Sequence, residues 1–246
     1  MNKNNQSETE DTRWNNFHKI GGISAIVIAF LLLGEIFVYS VLPNPVSTKE
    51  YMELFLKNSI FGLLHFDLLG MVSYIFFIPL IISLYTILRP NYESVMLIAI
   101  GLFFIGISVF YATNTGFSML SLSKQYALAI SESDRAIILA SFQAMLTLFK
   151  VNAFMVSYVI VSASWIMISG AMLRSKLFSR FTAWMGILAG ASGIIAEIIE
   201  NTLKPLIMVA IFFYFLAIAF LFLWVVLTGK RLINYGTGSD KSLVKD

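Results

Sequence analysis

Leu206–Leu227 reads LIMVAIFFYFLAIAFLFLWVVL, a run without one charged residue and without a polar face. A helix on the surface of a soluble domain keeps its apolar residues to one stripe, whereas one that is apolar all round lies in lipid or in a deep core. A hydrocarbon layer of about 30 Å takes about 20 residues of helix to cross, and this run is long enough. The rest of the chain has the same character. Of its 246 residues 58% are hydrophobic and 13% charged, against roughly 45–50% and about 25% in soluble domains. The mean hydropathy of +0.82 agrees. These values exclude a string of soluble domains, a disordered chain and a collagen.

Six stretches reach spanning length: Ile20–Leu42, Ser59–Leu88, Ser94–Leu120, Val151–Leu173, Phe181–Thr202 and Pro205–Thr228. No ten-residue units of alternating polarity occur, so a membrane β-barrel is excluded. The expected fold is all-α, a polytopic membrane bundle of six transmembrane helices. Cytoplasmic loops carry the excess of Lys and Arg. Eleven of the 17 basic residues fall with the two termini, Arg89 and the short loop Arg174/Lys176/Arg180, and six on the other side. Both termini are therefore expected in the cytoplasm, in a prokaryotic cytoplasmic membrane. The net charge of +3 serves topology and implies no nucleic-acid partner.

Residues 1–19 are polar and Asn-rich and are expected to form a disordered cytoplasmic tail, 20–228 the membrane domain and 229–246 a second cytoplasmic tail. A cleaved signal peptide is not expected, because the first apolar run is too long and no A-x-A follows it. On the outer side, Ser47-x-x-Glu50 is a capping box, followed by Met52, Phe55 and Leu56 on one face. Ser131-x-x-Asp134 caps another helix, Arg135–Phe149. From Asp134 to Met172 an unbroken helix would measure about 58 Å, nearly twice the membrane, so a bend near Lys150 or an outward projection is expected.

Ionisable residues within spans are costly, and a functional role is their default explanation. Glu35 and Glu197 lie about 22 and 24 Å above the inner ends of their spans. His65 and Asp67 lie about 9 and 12 Å below the outer boundary. Asn114, Lys150 and Asn152 come out close to that boundary. These seven residues form a layer in the outer third of the bundle. Two readings of it stay open: carboxylates and amides that hold helices together, or an outward-facing pocket for a proton, a cation or a small polar ligand. The acids Glu35, Asp67 and Glu197 outnumber Lys150, which favours cation or proton binding unless a carboxyl stays neutral by desolvation. His65 and Asp67 stand two apart, on different faces of a continuous helix, so a metal held by that pair is not expected.

Gly190-Ala191-Ser192-Gly193 matches the GxSG of rhomboid proteases, but that serine needs a histidine on a later span as base. Both histidines, His18 and His65, precede it. The pairs Gly186/Gly190 and Ala189/Gly193 read better as small residues that admit a neighbouring helix. Pro79 interrupts the backbone bonding of the second span and is a candidate kink. Cysteine is absent, as are HExxH and glycine-rich phosphate loops, so no cofactor, metal centre or catalytic residue is expected. The aromatic residues read as lipid contact and interface belt.

Three segments carry a family resemblance: GGISAIVIAFLLLGEIFV (21–38), FGLLHFDLLGMVSYIFFIPLIISLYTILRP (61–90) and the turn MLRSKLFSRFTAWMGILAGASG (172–193). Together with the amphipathic outer stretch before the fourth span, they resemble domain of unknown function 4386, a bacterial and archaeal multi-pass family, from about Gly21 to Leu203. The resemblance implies a polytopic membrane protein and assigns no catalytic residue. The function expected is non-enzymatic: transport or sensing through the polar pocket. The alternative is a scaffold or regulatory subunit whose small-residue faces bind another membrane protein or a second copy. The weakest reading is an intramembrane enzyme, because no nucleophile–base pair is visible.

Overall fold

The computed structural model describes residues 3–42 and 45–238, and the chain is helical almost throughout. In order come α1 (Lys3–Val41), α2 (Thr48–Lys57), α3 (Ser59–His65), α4 (Leu68–Thr113), α5 (Gly116–Leu128) and α6 (Glu132–Leu148). A π-helical segment, Phe149–Val156, leads into α7 (Ser157–Arg174); α8 (Arg180–Thr202), a short 3₁₀ turn and α9 (Ile207–Gly236) follow. Among the described residues, five stretches are long and apolar enough to cross a membrane: Trp14–Val41, Leu68–Leu128, Glu132–Arg174, Arg180–Thr202 and Ile207–Gly236.

The longest of these folds back on itself. Tyr92 leaves helical geometry (φ −139°, ψ 35°) directly after Arg89-Pro90-Asn91. Proline disfavours helix in the residue before it and supplies no N–H. The two arms of α4 then run antiparallel: Tyr111 donates its hydroxyl to the Met71 carbonyl. The rings of Tyr74 and Phe110 lie 4.9 Å apart, and those of Phe77 and Phe103 6.1 Å apart. Pro79, by contrast, sits in the first arm with no departure from helical dihedrals.

Helices close into a ring in the order α1, α4, α7, α8, α9 and back to α1. Lipid tails are as apolar as leucine, so such helices associate through close packing and interhelical hydrogen bonds. At the α1–α9 seam Gly22 faces the Gly229 carbonyl and Gly229 faces that of Gly22, and a Cβ at either would strike backbone. Between α4 and α7, Ser157 and Ser164 donate to the carbonyls of Gly106 and Ala99 at 2.9 and 2.7 Å. Large apolar side chains face outward, among them Phe30, Phe37, Ile75, Phe212 and Phe215. An apolar exterior of this extent belongs against lipid. The chain is a polytopic membrane helix bundle.

One end of the bundle collects the basic residues. There Tyr92 donates to the Arg174 carbonyl at 2.8 Å and Arg231 to that of Leu177 at 2.6 Å. His18 shares a hydrogen bond with Ser83 at 2.9 Å and meets the Tyr235 ring edge-on. The opposite end is roofed by α2, α3, α5 and α6. Ser47 caps α2 by accepting from the Glu50 N–H, and Glu50 accepts in return from the Val46 N–H at 2.9 Å. Ser131 caps α6 through the Asp134 N–H at 3.0 Å. Phe55 stacks on Phe66 at 5.2 Å, Phe66 meets Phe149 at 4.9 Å, and α2 is tied to α6 by a Thr48–Gln143 hydrogen bond.

Several boundaries differ from those the sequence suggested. The second apolar run does not continue from Ser59 to Leu88 but breaks at Phe66–Asp67, where Asp67 takes left-handed dihedrals (φ 62°). The third ends at Thr113, and α5 starts a separate helix at Gly116. On α2 the buried face is Tyr51, Met52, Leu54 and Phe55, while Leu56 is exposed. The α1 helix begins at Lys3, within the stretch assigned to a tail; Trp14 and His18 stack on each other, which carries the packed helix ahead of Ile20. In the same way α9 continues to Gly236, and residues 239–246 of the second tail lie outside the described residues.

Candidate functional site

Beneath the roof, inside the ring, is a cavity of about 870 Å³. Glu35 of α1, His65 at the end of α3, Asp67 ahead of α4, Lys150 of the π-helical segment and Glu197 of α8 all line it. Five of the seven residues of the polar layer therefore share one wall. The other two do not. Asn114 bridges two chain breaks, donating to the Phe66 carbonyl and accepting from the Gly116 N–H, each at 3.2 Å. Asn152 is half-buried in the π-helical segment, outside the wall.

Each carboxylate is held differently. Glu197 is 2% exposed; its Oε2 accepts from Asn201 at 3.3 Å, and its Oε1 has no hydrogen-bond partner among the described residues. Glu35 accepts from Ser73 at 3.5 Å, the outer limit of a hydrogen bond. Asp67 caps α4, accepting from the Gly70 N–H at 3.2 Å. Its carboxylate lies so close over Gly70 that a Cβ there would collide with it. Aspartate tolerates left-handed dihedrals better than most residues, because its short side chain bonds locally. The break also corrects the argument from spacing: with no helix running through Phe66, His65 and Asp67 reach the same cavity.

The wall is largely aromatic. His65 is surrounded by the rings of Tyr39, Tyr51 and Phe66 at 5.6, 5.7 and 6.3 Å, and its Nδ1 has no partner. The Lys150 ammonium lies 5.1 Å from the centre of the Tyr51 ring, a cation–π contact. Lys150 sits where the 43-residue helix from Glu132 to Arg174 departs from α geometry, as its excess length required. Such π-helical insertions occur frequently at functional sites. Trp165 stacks on Phe77 at 5.6 Å, and its indole N–H, also on this wall, is unpartnered. Tyr214 of α9 donates to Glu200 at 2.7 Å. The Lys204 side chain, a candidate partner of Glu200, lies outside the described residues.

Sequence reasoning missed these aromatic residues by assigning them to the lipid interface. A signal was present, since Tyr39 follows Glu35 by four positions and Tyr74 follows Asp67 by seven, each on the acid's own helical face. Among the described residues, no three of His, Asp and Glu converge as ligands for a metal. Ser192 of the GxSG is buried away from the cavity wall. The small residues of α8 are engaged inside the chain. Gly186 abuts Ser169 and Trp224, Gly190 abuts Ile166 and the Ser162 carbonyl, Gly193 abuts Tyr158, and Ala189 is fully buried. At the basic end a smaller cavity, about 230 Å³, is lined by Lys230 and Arg231.

Fold and site thus define a multi-pass membrane helix bundle with a polar, aromatic cavity at one end. The chain belongs to the family described as Domain of unknown function (DUF4386), which it matches over residues 20–229. No curated protein and no solved structure matches it.

Proposed function

We propose that this chain is a six-span, non-enzymatic protein of a prokaryotic cytoplasmic membrane that transports or senses a proton, a cation or a small polar ligand. One observation carries the reading: carboxylates from three separate elements, Glu35, Asp67 and Glu197, line one cavity, and among the described residues Lys150 is the only lysine or arginine on its wall. Helix cohesion alone does not require a cavity of this size, nor a buried carboxyl oxygen left without a partner among the described residues. An acid in a membrane interior marks a ligand or proton pathway by default. Arg89, Arg174 and Lys230 belong to the far end of the bundle, which under the positive-inside rule supports cytoplasmic termini and an outward-facing cavity. The scaffold alternative is less well supported, because the α8 small-residue face is filled by α7 and α9.

The test is ion flux in proteoliposomes. Wild type should carry a proton or sodium flux, or undergo a ligand-dependent gain in thermal stability, and Glu197→Gln should abolish either effect while remaining folded. Neither effect in folded wild type would refute the reading.

A further inference from the structure

The cavity is too large and too apolar to be fitted to an ion alone. One water takes up about 30 Å³ of liquid, so a hydrated ion would fill only a fraction of it. Its volume of about 870 Å³ lies in the range of small organic ligand sites, roughly 300–1,000 Å³. Such sites have a mostly apolar wall with a few placed polar groups. Here the apolar part is a continuous aromatic strip in which Phe110 meets Tyr74 at 4.9 Å, Tyr74 meets Phe77 at 6.1 Å, and Phe77 meets Trp165 at 5.6 Å. The ionisable placed groups include four carboxyl groups, Glu35, Asp67, Glu197 and Glu200, and Glu197, 2% exposed, keeps one oxygen unpartnered among the described residues.

The chain itself displays what this wall accepts. The Lys150 side chain is a four-carbon stem ending in an ammonium, and that ammonium rests over the Tyr51 ring at 5.1 Å, with no ion pair to it among the described residues. Aromatic rings attract cations through their negative faces, most strongly where water is excluded.

We propose that the cavity binds an organic cation, an ammonium carried on an apolar body, with its head at the Glu197 carboxylate and its body along the Phe77–Trp165 strip. The proposal rests on the reading of the cavity as a ligand site and names the ligand class. A cation would supply the counter-charge that lets these buried carboxyl groups ionise, and neither a neutral molecule of the same shape nor an anion supplies it.

Equilibrium binding to the full chain in lipid nanodiscs, with empty nanodiscs subtracted, tests this. The probe is benzyltrimethylammonium, compared with its neutral isostere neopentylbenzene and with benzenesulfonate. Saturable binding of the cation is expected, at least about tenfold tighter than the isostere, with none of the anion. Glu197→Gln should weaken the cation by about tenfold, while Trp184→Phe, at an exposed position on α8 outside the cavity, should leave it unchanged. Should Glu197→Gln fail to fold, Glu35→Gln takes its place, and the cation–isostere comparison on wild type decides by itself. Equal binding of the isostere overturns the proposal. So does absent cation binding by protein that still carries a proton or sodium flux, and that result leaves the transport reading standing. Absence of both refutes both.

Discussion

The ammonium of Lys150 lies 5.1 Å from the centre of the Tyr51 ring, joining the π-helical segment below α6 to the roof helix α2. This contact links the cavity wall to the roof. Tyr51→Leu and Lys150→Met should each destabilise the protein, and the double variant should lose less than their sum. The coupling expected for a partly desolvated cation–π pair is about 0.5–2 kcal/mol. A double-mutant cycle on thermal unfolding in detergent measures it; strict additivity would show that the two residues do not interact.

Gly70 is specified by the carboxylate lying over it. A Gly70→Ala substitution puts a Cβ against the Asp67 side chain and should break the cap on α4, at a cost of about 1–2 kcal/mol. In an Asp67→Gly background, which keeps the left-handed backbone and removes the carboxylate, the same alanine should cost much less. Such non-additivity is the signature of direct contact. Equal costs in the two backgrounds would contradict the geometry.

The α8 glycines predict a fold defect. Gly190→Leu would drive a side chain into Ile166 and the Ser162 carbonyl, and overpacking of this kind costs about 1–3 kcal/mol. Lower thermal stability and aggregation on size exclusion are expected. A Gly190→Leu protein of unchanged stability that loses a co-purifying partner would instead favour the scaffold reading.

Glu50 lies outside the spans, and its carboxylate is held below the usual range, first by the Val46 N–H and then by the Ser47 hydroxyl. Folding therefore disfavours its protonation. Its contribution is fully present above the ordinary glutamate value and is lost as pH falls through the lower folded value. Acidification through that range should loosen α2, read as lower amide protection over Tyr51–Phe55 relative to the intrinsic exchange rate at each pH, and Ser47→Ala should give the same loosening at neutral pH. Protection in α2 that is independent of pH through that range would argue against the capping box.

Much of this was legible beforehand because its causes are local. Long apolar runs, the Ser47 and Ser131 caps and the excess length ahead of Met172 each act within a few residues. Depth along the helices likewise placed Glu35, Asp67 and Glu197 in one layer. The break at Phe66–Asp67 was hidden: no proline marks it, the apolar run continues through it, and the first glycine after it is Gly70. The Phe66 carbonyl at the break is bonded by Asn114 from 48 residues away, a tertiary contact. The aromatic wall was missed because a tyrosine facing a cavity and one facing headgroups look alike in sequence.

The central claim, a water-accessible and electronegative cavity on the outer side, can be tested directly because the chain contains no cysteine. Ser73→Cys would place a thiol on the cavity wall, and Phe30→Cys one on the lipid-facing exterior. Labelling rates with membrane-impermeant methanethiosulfonates, one cationic and one anionic, would be measured in oriented membranes. The account predicts that Ser73→Cys reacts from the outer side, faster with the cationic reagent, while Phe30→Cys stays unreactive. A folded Ser73→Cys protein that reacts only from the cytoplasmic side, or equally fast with the anionic reagent, would contradict it.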